Sequence, residues 1–277
     1  MVRSTARARA RPRLQPLAAK VPEVGVLFWL IKVLTTGMGK AMSDAMGQRS
    51  VPIAGLVGVG GFAFALWLQL RTREYRAPVY WATVMLVAVF GTMVADGVHD
   101  GASVPYTVST AVLVLVVAVL FWRWRASEGT LSIHSITTRR REGFYWATVL
   151  ATFALGTAAG DMTAIQLHLG FLDSVFLFAA VIAIPAVLWW KGHINGTVAF
   201  WSAYVVTRPL GASVADWLGK PRGQTGLDLG DATVSLAALA IFVALVAFLA
   251  VTRRDVQREA ATPDPSFAVR IGASTTR

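Results

Sequence analysis

The 277-residue sequence has no cysteine, only 15% charged residues, and 15 acids against 26 Lys and Arg. The missing cysteine excludes disulfides, thiolate-bound zinc or iron–sulfur centres, and a cysteine nucleophile. The shortage of charge excludes an ordinary soluble domain, where about a quarter of residues are charged. Strand-like alternation of apolar and polar residues is missing, which excludes a transmembrane barrel. HExxH, GxSxG and P-loop motifs are absent, and His99, His134, His168 and His193 are scattered along the chain. Nothing assembles a nucleophile with a base, so an enzyme is not expected.

What is present is apolar: 55% of all residues, with a mean hydropathy of +0.57. Lipid is the solvent that suits such a chain. A bilayer-crossing helix needs about 20 mostly apolar residues, and eight stretches fit, at roughly 24–46, 50–70, 79–99, 104–122, 144–164, 169–190, 196–217 and 231–251. The longest link, Arg123 to Glu142, divides them into two sets of four. Lys and Arg set the orientation. Twenty of the 26 fall in the two termini and one alternate set of loops, three in the opposite loops, and three (Lys32, Lys40, Arg208) inside spans. This bias places both termini in the cytoplasm. It also makes anionic headgroups on that side, rather than nucleic acid, the partner of the +11 net charge.

One pattern recurs in every odd-numbered span. Phe28-Trp29, Tyr80-Trp81, Tyr145-Trp146 and Phe200-Trp201 are each followed ten residues after the Trp by a glycine: Gly39, Gly91, Gly156 and Gly211. Five residues further stands Asp44, Asp96, Asp161 or Asp216. Four matches to one spacing mark an internal repeat. The expected fold is therefore all-α: a polytopic membrane protein of eight transmembrane helices, built as four parallel helical-hairpin repeats in two halves. The repeats run over about 24–70, 78–125, 143–191 and 195–253 within a membrane domain of 23–253. A basic cytoplasmic arm (1–22) and a cytoplasmic tail (254–277) flank it and are expected to be disordered. The Trp residues are expected in an aromatic belt at the cytoplasmic interface, with the aspartates about 22 Å further along.

Carboxylates at bilayer depth are expensive and usually face a bundle interior. Asp44, Asp96, Asp161 and Asp216 are the expected ion or metal ligands, with Thr92, Thr157 and Ser213 as further oxygen donors. Oxygen ligands favour hard ions such as Mg²⁺, Ca²⁺ or Mn²⁺. Lys40 lies one turn before Asp44 and is expected to pair with it. Lys32 is open to two roles, snorkelling to the interface or standing as an internal positive charge. Arg208, followed by Pro209, is open to three roles: a gate, a partner for an Asp of another repeat, or an anion ligand. No cofactor is expected beyond a bound divalent cation.

The leading expectation is a cation transporter or exporter, for a divalent metal such as Mn²⁺ or proton-coupled, with Lys40 and Arg208 as internal counter-charges. The alternatives are a carrier for a small anionic or zwitterionic solute using Lys32, Lys40 and Arg208, and a non-transporting scaffold that uses the aspartates as helix glue. The composition is compatible with a homo-oligomer.

Three segments also carry a resemblance. The stretch from Lys20 through Phe28-Trp29 and Gly39 to Ser43-Asp44, the run Ala154 to Asp161, and Thr207-Arg208-Pro209 to Ser213 resemble bacterial membrane-anchored proteins built from four copies of a repeat of unknown function. The resemblance covers about residues 20–252 and implies a multi-span protein of the bacterial inner membrane. It implies no activity.

Overall fold

The computed structural model describes residues 20–256, and the expected disordered arm and tail lie almost wholly outside them. Among the described residues there are eight α-helices and no strand. They are α1 (Val26–Arg49), α2 (Val51–Arg71), α3 (Ala77–Asp96), α4 (Tyr106–Glu128), α5 (Arg139–Asp161), α6 (Phe171–Trp190), α7 (Gly196–Gly219) and α8 (Asp231–Thr252). Six of them are long and apolar enough to cross a membrane. The two that are not, α1 and α7, carry the buried charges Lys32, Lys40, Arg208 and Asp216. The protein is all-helical and built for a membrane.

Local chemistry marks the helix ends. Thr138 accepts from the Arg141 amide and Asn195 from the Val198 amide, capping α5 and α7. Prolines sit in the first turns of α2 and α3, where a missing N–H costs nothing. Gly129 closes α4 at a φ of 70°.

The odd helices form an inner ring in which α1, α3, α5 and α7 each pack on both neighbours, α7 returning to α1. The long link after α4 divides the chain but leaves no seam in this ring. Each even helix lies outside, packed most extensively on the odd helix that follows it: α2 on α3, α4 on α5, α6 on α7, and α8 on α1. The contacts of α1 with α2 and of α7 with α8 are weaker. Each even helix thus packs mainly on the odd helix after it rather than on the one before it.

The repeated glycines set the ring spacing. A Cβ on Gly39 would lie 2.3 Å from Ala88, one on Gly91 2.6 Å from Phe153, one on Gly156 2.2 Å from Arg208, and one on Gly211 2.7 Å from Thr36. Thr36, Ala88, Phe153 and Arg208 each stand seven residues after their own repeat's Trp. One contact is therefore made four times around the ring, each glycine letting the next inner helix approach closely.

The repeated aromatics turn inward. Trp81, Trp146 and Trp201 are buried, and only Trp29 is partly exposed. Phe28 packs on Phe200 at 5.9 Å between centroids, and the Tyr80 and Tyr145 hydroxyls meet at 2.5 Å. The expected interfacial belt is instead a plug, because a residue repeated on inner helices faces inner neighbours. The N-terminal approach is pinned at this end. Lys20 is buried and pairs with Glu142 at 2.6 Å, while the Glu23 amide bonds the Asp255 carbonyl and the Tyr75 hydroxyl bonds the Asp255 carboxylate. Lys20 and Val21, expected in the disordered arm, belong to the packed domain.

Candidate functional site

At the end opposite the plug, the helix periodicity brings the repeated aspartates together. Counting from each Trp, positions 3, 7, 11 and 15 follow one another by one turn and face the ring interior. They form four layers about 6 Å apart. The last is Asp44, Asp96, Asp161 and Asp216. The layer before it is Lys40, Thr92, Thr157 and Ala212, and all four are buried.

Lys40 organises the aspartate layer. Its ammonium lies 3.3 Å from Asp44, 3.4 Å from Asp161 and 3.8 Å from Asp96, three carboxylates from three inner helices. The expected intrahelical pair with Asp44 is present as one arm of this cluster. Lys220 extends it from the α7–α8 loop, at 2.5 Å from Asp44, 3.8 Å from Asp216 and 3.0 Å from Asp231. Gln48 donates to Asp231 at 2.6 Å. Both Asp216 oxygens are buried without a hydrogen bond. Five carboxylates face two ammonium groups, which leaves three formal negative charges. Burial opposes the charge on Lys220, but Asp44 and Asp216 outweigh it and hold its proton more firmly than an ordinary lysine would.

Backbone details fix this arrangement. Past Asp96 and Asp161 the inner helices widen into π-type turns, Gly97–Gly101 and Met162–Gln166. Such turns are frequent at functional sites. The loop that carries Lys220 is tied back onto α7 by the Leu227, Leu229 and Gly230 amides, which bond the Trp217, Leu218 and Gly219 carbonyls.

A cavity of about 770 Å³ opens onto the layer, lined by Lys40, Asp44, Asp96, Asp161 and Lys220, and also by Tyr106 and Asp100. Its charged lining is suited to a cation and supplies oxygen donors. Among the described residues no group of three or more His, Asp or Glu side chains is already arranged to hold a metal ion. The geometry explains this, since the lysine ammonium groups stand between the carboxylates.

The remaining expected residues separate from this cluster. The Thr92 and Thr157 hydroxyls bond each other at 3.1 Å. The Ser213 hydroxyl is buried without a partner, near Gly160. Among the described residues Arg208 pairs with no aspartate; its Nη1 donates to Thr36 at 3.3 Å. Lys32 does not snorkel: it is 0% exposed and lies over the Tyr204 ring. Eight residues, or about 12 Å of helix, separate Lys32 from Lys40 and Arg208 from Asp216. Among the described residues Lys40 makes its ion pairs with the aspartates, whereas Lys32 and Arg208 make none with them. Lys220 and Asp231 were not among the expected site residues. The four-residue step from Asp216 to Lys220 is a signal for the first. Nothing local points to Asp231, which arrives from α8.

A family model described as Repeat of Unknown Function (DUF347) matches the chain three times, over residues 79–130, 144–194 and 199–255, more than half of its length. No curated protein and no solved structure matches it.

Proposed function

The chain belongs to this repeat family, and we propose that it is a membrane carrier for small cations, with the repeated aspartates as the binding layer. The observation that carries the reading is Lys40, whose ammonium occupies the midpoint of three repeated carboxylates from three helices. It is a tethered cation standing where a mobile one would bind. In this reading an arriving cation, or protons, displaces Lys40 and draws on the three uncompensated charges. The oxygen-only donor set favours a divalent metal such as Mn²⁺, with protons as the exchanged species.

The wider reading follows from the same features. The segment 24–70 is a fourth, diverged copy of the repeat, because it keeps the Trp, Gly and Asp spacing and makes the same glycine contact. All eight helices cross the membrane as four helix pairs, α1 and α7 being sheltered by their neighbours. The Lys and Arg bias puts the aromatic plug and both termini in the cytoplasm of a bacterium, and the cavity mouth on the outer face of its inner membrane. In this reading the carrier is open to the outside and sealed inside by edge-packed aromatics. Substrate release requires that plug to part.

The test is flux into proteoliposomes that contain the purified chain and a Mn²⁺-sensitive dye. Wild type should take up Mn²⁺ with a countercurrent of protons, and Asp→Asn changes at positions 44, 96, 161 and 216 should each slow it at least tenfold. Unchanged flux in all four variants would rule the reading out. Loss of detergent stability with no flux in any form would favour a scaffold.

A further inference from the structure

Lys32 and Arg208 are two buried cations that the carboxylate layer does not use. They face each other from α1 and α7, which pack side by side. Lys32 is 0% and Arg208 1% exposed. Neither makes an ion pair among the described residues. The Lys32 ammonium has no hydrogen-bond acceptor, and neither do Nε and Nη2 of Arg208. The neighbours of both charges are rings. Lys32 lies 3.9 Å from the Tyr204 centroid and 4.9 Å from that of Phe153, and the Arg208 guanidinium lies 4.6 and 3.2 Å from the same two. Sharing the Phe153 ring holds the two charges within about 8 Å of each other.

Buried charge needs a counter-charge, and ring faces compensate it only in part. Two like charges side by side make the need greater. The free donors are the three N–H of the lysine and the Nε and Nη2 edge of the guanidinium. Every one of them is a donor suited to an anion. We infer that Lys32 and Arg208 form an occluded site for one small monovalent inorganic anion of about the size of chloride. The aromatic packing on both cations disfavours an organic anion, and burial disfavours a strongly hydrated divalent one such as sulfate. Held between them, the anion ties α1 to α7 about 12–18 Å along the ring from the aspartates. The inference does not rest on the cation-carrier reading, since the two cations and their ring neighbours are present whether or not the chain moves a cation.

The test is melting of the purified full chain in detergent in sodium chloride, bromide or gluconate at matched ionic strength. Wild type should gain several degrees in chloride and bromide, saturably, over gluconate, and Lys32→Met should lose that dependence. Crystals of wild type grown in bromide should show an anomalous peak between Lys32 and Arg208, which keeps the inference testable if the variant fails to fold. A wild-type melt that is equal in all three salts would overturn it. So would a Lys32→Met protein that keeps the full chloride shift, or a bromide map without that peak.

Discussion

Replacing Lys40 with methionine removes the positive charge from the centre of the carboxylate layer at little change in volume. At an effective dielectric of 20, each of its three contacts at 3.3, 3.4 and 3.8 Å is worth about 4–5 kcal/mol before desolvation is subtracted. Burial of the ammonium offsets much of that sum. Breaking a buried pair by deleting one partner costs about 3–5 kcal/mol, because the other charge is left uncompensated. Lys40→Met leaves Asp44, Asp96 and Asp161 facing one another with only Lys220 nearby, so that range is the expected loss. For a chain of this size it corresponds to roughly 6–20 °C in melting temperature. The ten tryptophans provide the signal for a thermal melt in detergent. The variant has a second, more specific property. A divalent cation can take the place of the lost ammonium, and at a hundredfold excess over its Kd it restores about 2.7 kcal/mol. Mn²⁺ should therefore raise the melting temperature of Lys40→Met far more than that of wild type, where the cation has to displace the lysine. A variant that melts like wild type, or that gains no more from Mn²⁺, would refute the reasoning.

Other outcomes follow from the packing. Gly156→Ala places a Cβ 2.2 Å from the Arg208 side chain and 2.9 Å from its backbone, and should cost about 1–3 kcal/mol by overpacking. Gly60→Ala, whose Cβ meets open space, is the control and should lose nothing in the same melt. Lys20→Met strands Glu142, which is 1% exposed, and should cost about 3 kcal/mol in denaturation by detergent or heat. Lys220 holds its proton above the ordinary lysine value of about 10.4, so its contribution to stability is complete below that pH and is lost as pH rises through the shifted value. The stability difference between wild type and Lys220→Met should accordingly stay constant from neutral pH to about 10 and shrink only above it.

Much of this architecture is legible in the sequence because one spacing controls it. The Trp, Gly and Asp positions differ by ten and five residues in four spans. A regular helix carries that spacing into four equal depths, so the convergence of Asp44, Asp96, Asp161 and Asp216 can be read from periodicity. The role of the glycines as close-contact points is readable for the same reason. What cannot be read is which helix each outer helix leans on. The apolar faces of α2, α4, α6 and α8 carry no directional signal, and only the ring geometry sends them to the following repeat. Asp231 comes to the site at the start of α8, behind a loop folded back by its own amides, which no local pattern encodes, whereas Lys220 is signalled only by its four-residue step from Asp216. The place of Lys32 is left open by the sequence because its depth alone allows snorkelling. The rings of Phe153 and Tyr204, from two other helices, hold it inside instead.

Crystals of the wild-type chain soaked in Mn²⁺ and measured at the manganese edge locate the ion directly. An anomalous peak among Asp44, Asp96 and Asp161, with the Lys40 side chain moved away from it, is the predicted result. Diffraction that shows Lys40 still seated among the three carboxylates at saturating Mn²⁺, with no ion in the layer, would contradict the account.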